Sequence, residues 1–242
     1  MTDSKQIKMS NLNANKLVYG TYRLPRNYSE FSEMLSACLN LGIEWIDTSP
    51  IYNHGISETW ISNWEQDSNR RFKIATKAGK FYRQDFGLRV SNTYEDLAKS
   101  IEGSLKRLRR AKLELLFIHD FEEKRDREEI RNTLRFLLGN GLVQRIGLSN
   151  FPADISEYLI NQGCVNHLQV NYWDLDAENK ISLAKRSGIE CWIYRPFNKG
   201  SVIKDNGKNP KEVIEDLMQK YLGCKILFGA TKLNQLEWIK RM

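Results

Sequence analysis

The amino-acid sequence predicts an α/β fold of the (β/α)8, TIM-barrel type, and three observations lead there. Short β-rich runs alternate strictly with amphipathic helical runs along the chain. The alternation reaches eight repeats, the number that closes a parallel sheet on itself through right-handed crossovers. The turn after the first strand, "GTYRLPRN", is not the glycine-rich loop that usually opens the rival fold, an open doubly wound sheet. A length of 242 residues and a hydrophobic content of 41% suit one such domain over 1–242.

The elements follow in order. "KLVYG" (16–20) is the first strand. In "YSEFSEMLSACLNLG" (28–42), Phe31, Leu35, Cys38 and Leu39 recur at helical spacing and Gly42 ends the helix. "IEWID" (43–47) is a strand, "SETWISNW" (57–64) a short helix and "RFKIATKAG" (71–79) a strand. A long helix covers 91–110, with Asn92 or Thr93 as its cap. "LELLFIHD" (113–120) is a strand, 127–141 a helix ending in Gly, and "VQRIGLSN" (143–150) a strand. The helix at 152–163 has Pro in its first turn. Strands at 167–172, 189–196 and 224–230 alternate with helices at 177–188, 210–223 and 232–242.

Composition excludes several function classes. No run of about 18 apolar residues occurs, so no membrane-spanning helix is expected. The opening "MTDSKQIKMSNLNANK" lacks an apolar signal core, so a cytoplasmic enzyme is expected. Cys38, Cys164, Cys191 and Cys224 are scattered without metal-ligand spacing and are expected as unpaired thiols, with no metal site. The net charge of +7 is spread among acidic residues, and the cluster "KRLRRAK" sits at a helix end, where cations are favoured. Nucleic-acid binding is therefore not expected; an anionic cofactor accounts for part of the excess.

In such a barrel the C-terminal strand ends carry the chemistry. They present Gly20, Thr21 and Tyr22; Asp47, with Tyr52 in its loop; Lys77; His119 and Asp120; Ser149 and Asn150; Gln169 with Asn171 and Tyr172; Tyr194 and Arg195; and Gly229, Ala230 and Thr231. A lysine closing the apolar run "FKIAT" needs a partner, and Asp47 is the natural one. Singly, each group has an ordinary reading: a structural ion pair, a packing tyrosine, a hydrogen-bonded core histidine. Four of them converging on one mouth point to catalysis.

"WIDTSPIYNHGISE", "ATKAG", "LLFIHD", "RIGLSNF", "LQVNYW" and "FGATKLNQLE", in this order, resemble the aldo-keto reductases from about residue 16 to the C-terminus. The segment ending in "LLFIHD" is most similar to relatives acting on sugars and small aldehydes. The resemblance implies Tyr52 as general acid, supported by Asp47, Lys77 and His119. It implies Ser149, Asn150 and Gln169 around a nicotinamide carboxamide, Tyr194 stacked on the nicotinamide, and Gly229, Ala230, Thr231, Lys232 and Gln235 around the adenosine 2′-phosphate and adenine. Gly20 and Thr21 join that cofactor set. The Lys77 ammonium is expected to favour the phenolate and to lower the Tyr52 pKa from its ordinary ~10.

The chain departs from the family pattern in places. "FNKGSVIKDNGKNP" (197–210) replaces a longer loop after the seventh strand, and the chain stops inside the eighth helix, without the tail that walls the pocket in relatives. An open pocket is therefore expected, lined by Tyr22 and His54, for which packing and loop polarity are the plain alternatives. Ile239 stands where the family places Asn, and Arg195 where Ser is common; Arg195 has pyrophosphate, an acidic substrate or solvent as its partner. The expected function is reduction of an aldehyde or ketone, or oxidation of the matching alcohol. NADP(H) is favoured through Lys232, with NAD(H) the alternative. The rival readings are a sugar 1-dehydrogenase in a carbohydrate pathway and a non-catalytic, cofactor-binding regulatory barrel.

Overall fold

The computed structural model describes residues 14–83, 87–205 and 207–242. The expectation about a signal core falls mainly on residues 1–13, outside the described residues. Eight parallel strands close the expected barrel: β1 (Leu17–Gly20), β2 (Trp45–Asp47), β3 (Lys73–Ala78), β6 (Leu115–Ile118), β7 (Ile146–Ser149), β8 (His167–Asn171), β9 (Glu190–Tyr194) and β10 (Lys225–Phe228). β1 closes the ring by pairing with both β2 and β10, through Gly20 opposite Asp47 and Leu17 opposite Ile226. Helices α1 (Tyr28–Asn40), α2 (Ile56–Ser68), α3 (Tyr94–Leu108), α4 (Arg127–Gly139), α5 (Ala153–Asn161), α6 (Ala177–Arg186) and α7 (Pro210–Lys220) connect them.

The caps follow local chemistry. Asn27, Thr93, Asp126 and Asn209 each accept a hydrogen bond from a backbone N–H of the first turn that follows. Of the two cap candidates for α3, Thr93 is the one used, with Oγ1 3.2 Å from Asp96 N. Pro210 opens α7, where its missing N–H costs nothing.

Two elements differ from expectation. Between β3 and α3 the chain folds an antiparallel hairpin, β4 (Lys80–Arg83) with β5 (Gly87–Val90), which rises beside the mouth. The expected last helix over 232–242 is instead two 3₁₀ turns, Leu233–Leu236 and Ile239–Arg241. Gln235 Oε1 accepts from the backbone N of Thr231 (2.8 Å) and of Lys232 (3.1 Å) and so caps the first turn. Leu236 and Ile239 are both buried, and a period of three puts them on one side.

The hydrophobic core has two parts. A large cluster lies between strands and helices. A smaller one, Val18, Trp45, Ala75, Leu115, Phe117 and Trp192, fills the barrel interior. There Trp192 meets Trp45 edge-on at 5.3 Å and Phe117 at 5.4 Å between ring centres. Gly147 makes room for them: a Cβ there would stand 2.5 Å from Phe117 Cδ1 and 2.9 Å from the His167 Cβ. His167 packs by Phe117 and Trp192 below the mouth, with Nδ1 2.9 Å from Asn166 Oδ1, and is structural. Cys38, Cys164, Cys191 and Cys224 are all buried and unpaired. Among the described residues, no helix is long and apolar enough to cross a membrane.

Candidate active site

Strand alternation aims the polar groups. Trp45, Ala75 and Trp192 face the interior, and two residues further along their strands come Asp47, Lys77 and Tyr194. The same step leads from Phe117 to His119, from Gly147 to Ser149 and from His167 to Gln169. Six chemically active side chains therefore share one inward face, one layer above an apolar plug.

Lys77 and Asp47 form the centre. Their side chains are 2% and 4% exposed, and Lys77 Nζ donates to Asp47 Oδ1 at 2.5 Å. The same ammonium donates to the Thr48 carbonyl at 3.0 Å. Gln169 Nε2 donates to the other carboxylate oxygen, Asp47 Oδ2, at 2.7 Å. Burial lowers the Lys77 pKa, and the Asp47 carboxylate works against that shift.

Tyr52 lies above the pair, with its ring centre 4.9 Å from Lys77 Nζ. The backbone turns sharply here: Asn53 (φ 45), His54 (φ 54) and Gly55 (φ 85) are successive left-handed residues. A Cβ at Gly55 would also lie 2.8 Å from Arg107 Cδ, so glycine is required on two counts. The expected lowering of the phenol pKa is overturned. Burial pushes Tyr52 well above its ordinary value, the Asp47 carboxylate and Tyr22 add to this, and Arg195 opposes it. Desolvation is the largest cause, and the Lys77 ammonium, bonded to the Asp47 carboxylate, does not offset it.

His119 stands beside Tyr52, with ring centres 6.2 Å apart. Its imidazole is held neutral, first by burial and then by Lys77 and Lys80. Ser49 Oγ lies 3.4 Å from Nδ1. With the serine donating to Nδ1, Nε2 carries the hydrogen. Lys80 on the hairpin pairs with Asp120 at 2.6 Å.

The expected cofactor residues divide. The end of β7 presents Ser149, buried at the mouth and with no hydrogen bond to its hydroxyl among the described residues. Gln169 on β8 sits beside it in register. A hydroxyl next to an amide suits a carboxamide, so the donor set fits the nicotinamide end of a dinucleotide. Asn150 (φ 57) is a brace: its Nδ2 donates to the His119 carbonyl at 2.8 Å and its Oδ1 accepts from the Tyr194 hydroxyl at 2.7 Å. That ties the ends of β6 and β7 to the Tyr194 ring of β9. Arg195 (φ 59) is exposed, its guanidinium 5.9 Å from the Tyr194 ring centre.

Three residues of that set are turned inward. Thr21 is fully buried; its Oγ1 donates to the Asp47 carbonyl at 3.1 Å and accepts from Ser57 at 2.6 Å. Its hydroxyl supports the site from behind. The Cβ space of Gly20 is filled by Leu227 Cδ2, at 2.7 Å, so β10 explains that glycine. The Ala230 carbonyl accepts from Tyr19 at 2.8 Å. Gly229 ends the same run beside Gly20, and Thr231 and exposed Lys232 line a cavity with Tyr52. Tyr22 is 68% exposed and lies edge-on to Tyr52 at 5.2 Å. His54 packs 5.3 Å from Tyr82 of the hairpin.

Sequence reasoning missed the support behind the mouth. Glu58, fully buried, accepts from Thr76 Oγ1 at 2.5 Å and from Arg107 Nε at 2.7 Å. Thr48 Oγ1 lies 2.8 Å from Ser57 Oγ, which extends the hydroxyl chain through Thr21. The signal was the small polar run after Asp47, "TS", and the "SE" at 57–58.

Comparison with known proteins bears on the fold and the family. Residues 16–236 match the family model described as the aldo/keto reductase family. The aldo-keto reductase ausK of Emericella nidulans is 33% identical over 227 aligned residues, covering 79% of this chain and 56% of that protein. The NADP(+)-designated aldo-keto reductase yakc of Schizosaccharomyces pombe is 27% identical, covering 80% and 61%. The chain thus spans little more than half the length of such curated relatives. Among solved structures, an aldo-keto reductase from Bacillus halodurans superposes with a TM-score of 0.82 at 16% identity, covering 93% of this chain and 85% of that one. A glycerol dehydrogenase from Gluconobacter oxydans gives 0.78 at 19%, with the same coverage. At such identity the likeness is one of fold.

Proposed function

The chain belongs to the aldo/keto reductase family, and from that premise we propose that it reduces the carbonyl group of a small aldehyde or ketone with NADP(H). When bound, the nicotinamide cofactor supplies the hydride. The side chains of the mouth do the rest. Tyr52, kept neutral by burial and by Asp47, donates its proton to the carbonyl oxygen; a phenol remains a far stronger acid than the alcohol that forms. Lys77 places positive charge behind the phenol as it becomes phenolate. Neutral His119 donates one hydrogen bond to the same oxygen and orients it. Asp47 keeps Lys77 charged and in place. Oxidation of a sugar hydroxyl would run through the same residues in reverse, with Tyr52 taking up the alcohol proton.

One observation carries the reading: the buried Asp47–Lys77 pair beneath the Tyr52 ring. Desolvating two charges is costly, and apolar residues would stabilise a barrel as well. NADP(H) is preferred because Lys232 stands exposed after β10 and because relatives such as yakc carry NADP(+) in their names. Action in the cytoplasm on sugars or other small carbonyl compounds belongs to the same proposal. The test is NADPH oxidation with a panel of aldehydes, ketones and aldoses. Tyr52→Phe should lower kcat by about 10²–10⁴-fold while NADPH still quenches protein fluorescence. Full turnover in that variant would refute the role of Tyr52. A wild type that binds cofactor but turns over no carbonyl would favour a regulatory barrel. Tighter binding of NADH than NADPH would overturn the cofactor preference.

A further inference from the structure

A cavity of about 630 Å³ opens beside Tyr52, and its lining includes Arg23, Arg26, Glu30, Tyr22 and Tyr82. That is more room than a two- or three-carbon aldehyde needs. We propose that Arg23 and Arg26 form an anion-binding subsite that selects carbonyl substrates carrying a carboxylate or phosphate away from the reacting carbon. This rests on the reading of Tyr52 as the proton donor.

Four observations converge on it. Both guanidiniums are exposed on the loop after β1, and neither forms an ion pair among the described residues. The carboxylate in the lining, Glu30, is turned to the start of α1, where it accepts from the Arg26 backbone N at 3.3 Å and from Asn27 Nδ2 at 3.4 Å. Arg23 directly follows Tyr22, whose ring lies against Tyr52, so the cation is one residue from the ring that borders the reacting phenol. Tyr22 and Tyr82, 68% and 58% exposed, supply aromatic walls to the same cavity. A guanidinium fork matches the two oxygens of a carboxylate or phosphate, and two forks give a preference that one surface lysine would not.

Lys232 shares the lining, and the cofactor reading assigns it to the 2′-phosphate. The anion served by the arginines could then be the cofactor's own, and the experiment separates the two sources. 4-Carboxybenzaldehyde and its methyl ester are compared at saturating NADPH and low salt. Wild type should prefer the acid about tenfold or more in kcat/KM, and added salt should compress the ratio. Arg23→Ala with Arg26→Ala should bring the ratio near one, while the ratio of KM for NADPH to KM for NADH stays as in wild type. A wild-type ratio near one, a preference that survives the double variant, or an effect confined to the NADPH/NADH ratio would each overturn the proposal. Terephthalate binding by calorimetry needs no turnover: it should weaken about tenfold in the double variant. If neither aldehyde reacts, the reductase reading fails alone, and the calorimetric difference decides the subsite.

Discussion

Asp47→Asn tests the physical core of the site. The carboxylate lies 2.5 Å from the Lys77 ammonium, and with side chains 4% and 2% exposed, solvent cannot replace it. The substitution removes the negative charge that faces the ammonium and leaves it only neutral acceptors, the amide oxygen and the Thr48 carbonyl at 3.0 Å. Removing one partner of a buried pair costs about 3–5 kcal/mol. At about 2–4 °C per kcal/mol for a chain of this size, Tm should fall by roughly 6–20 °C. Adding Lys77→Met takes away the stranded charge, so the double variant should be more stable than the two single losses summed would allow, by about 2 kcal/mol or more. Burial already lowers the Lys77 pKa. Without Asp47 the folded state holds that proton still less firmly than the unfolded chain, so the single variant should gain stability as pH rises toward ~10. Urea unfolding followed by far-UV circular dichroism, with thermal melts at two pH values, reads all three quantities. A single variant within about 1 kcal/mol of wild type, or strictly additive losses, would refute the picture of a desolvated pair.

Other outcomes follow from the same geometry. The folded His119 is kept neutral, so below about pH 6.5 the unfolded state binds a proton that the folded state does not. Stability should then fall with pH by up to about 1.4 kcal/mol per unit, and His119→Asn should remove that part of the slope in denaturation curves. Gly147→Ala would drive a methyl group into Phe117 and the His167 Cβ, at a cost of about 1–3 kcal/mol or more by urea unfolding. Asn150→Ala removes the brace between the His119 carbonyl and the Tyr194 hydroxyl. It should cost about 1–3 kcal/mol and raise KM for the cofactor more than it lowers kcat, measured by steady-state kinetics.

Much of this molecule is legible without coordinates. The period-two pattern of each strand and the alternation with helices determine a closed parallel barrel, and the residue after each apolar run lands at the mouth. That is why Asp47, Lys77, His119, Ser149, Gln169 and Tyr194 stand among the strand-end groups that spacing picks out, while the family resemblance singles out Ser149, Gln169 and Tyr194 from their neighbours. Local pattern fails where a side chain far from the backbone pattern decides. The amphipathic run over 232–242 resembles a helix, but the chain makes two 3₁₀ turns there, with Gln235 capping the first. Thr21 and Asn150 are polar groups at strand ends like the others, yet they bond to protein partners on neighbouring strands. The sign of the Tyr52 shift was also out of reach, because a residue string names the charges but not how deeply each is desolvated. Sequence determines which groups meet, through periodicity; tertiary structure decides which are solvated, which are paired and which remain free to act, because those depend on distances across the barrel that no local pattern encodes.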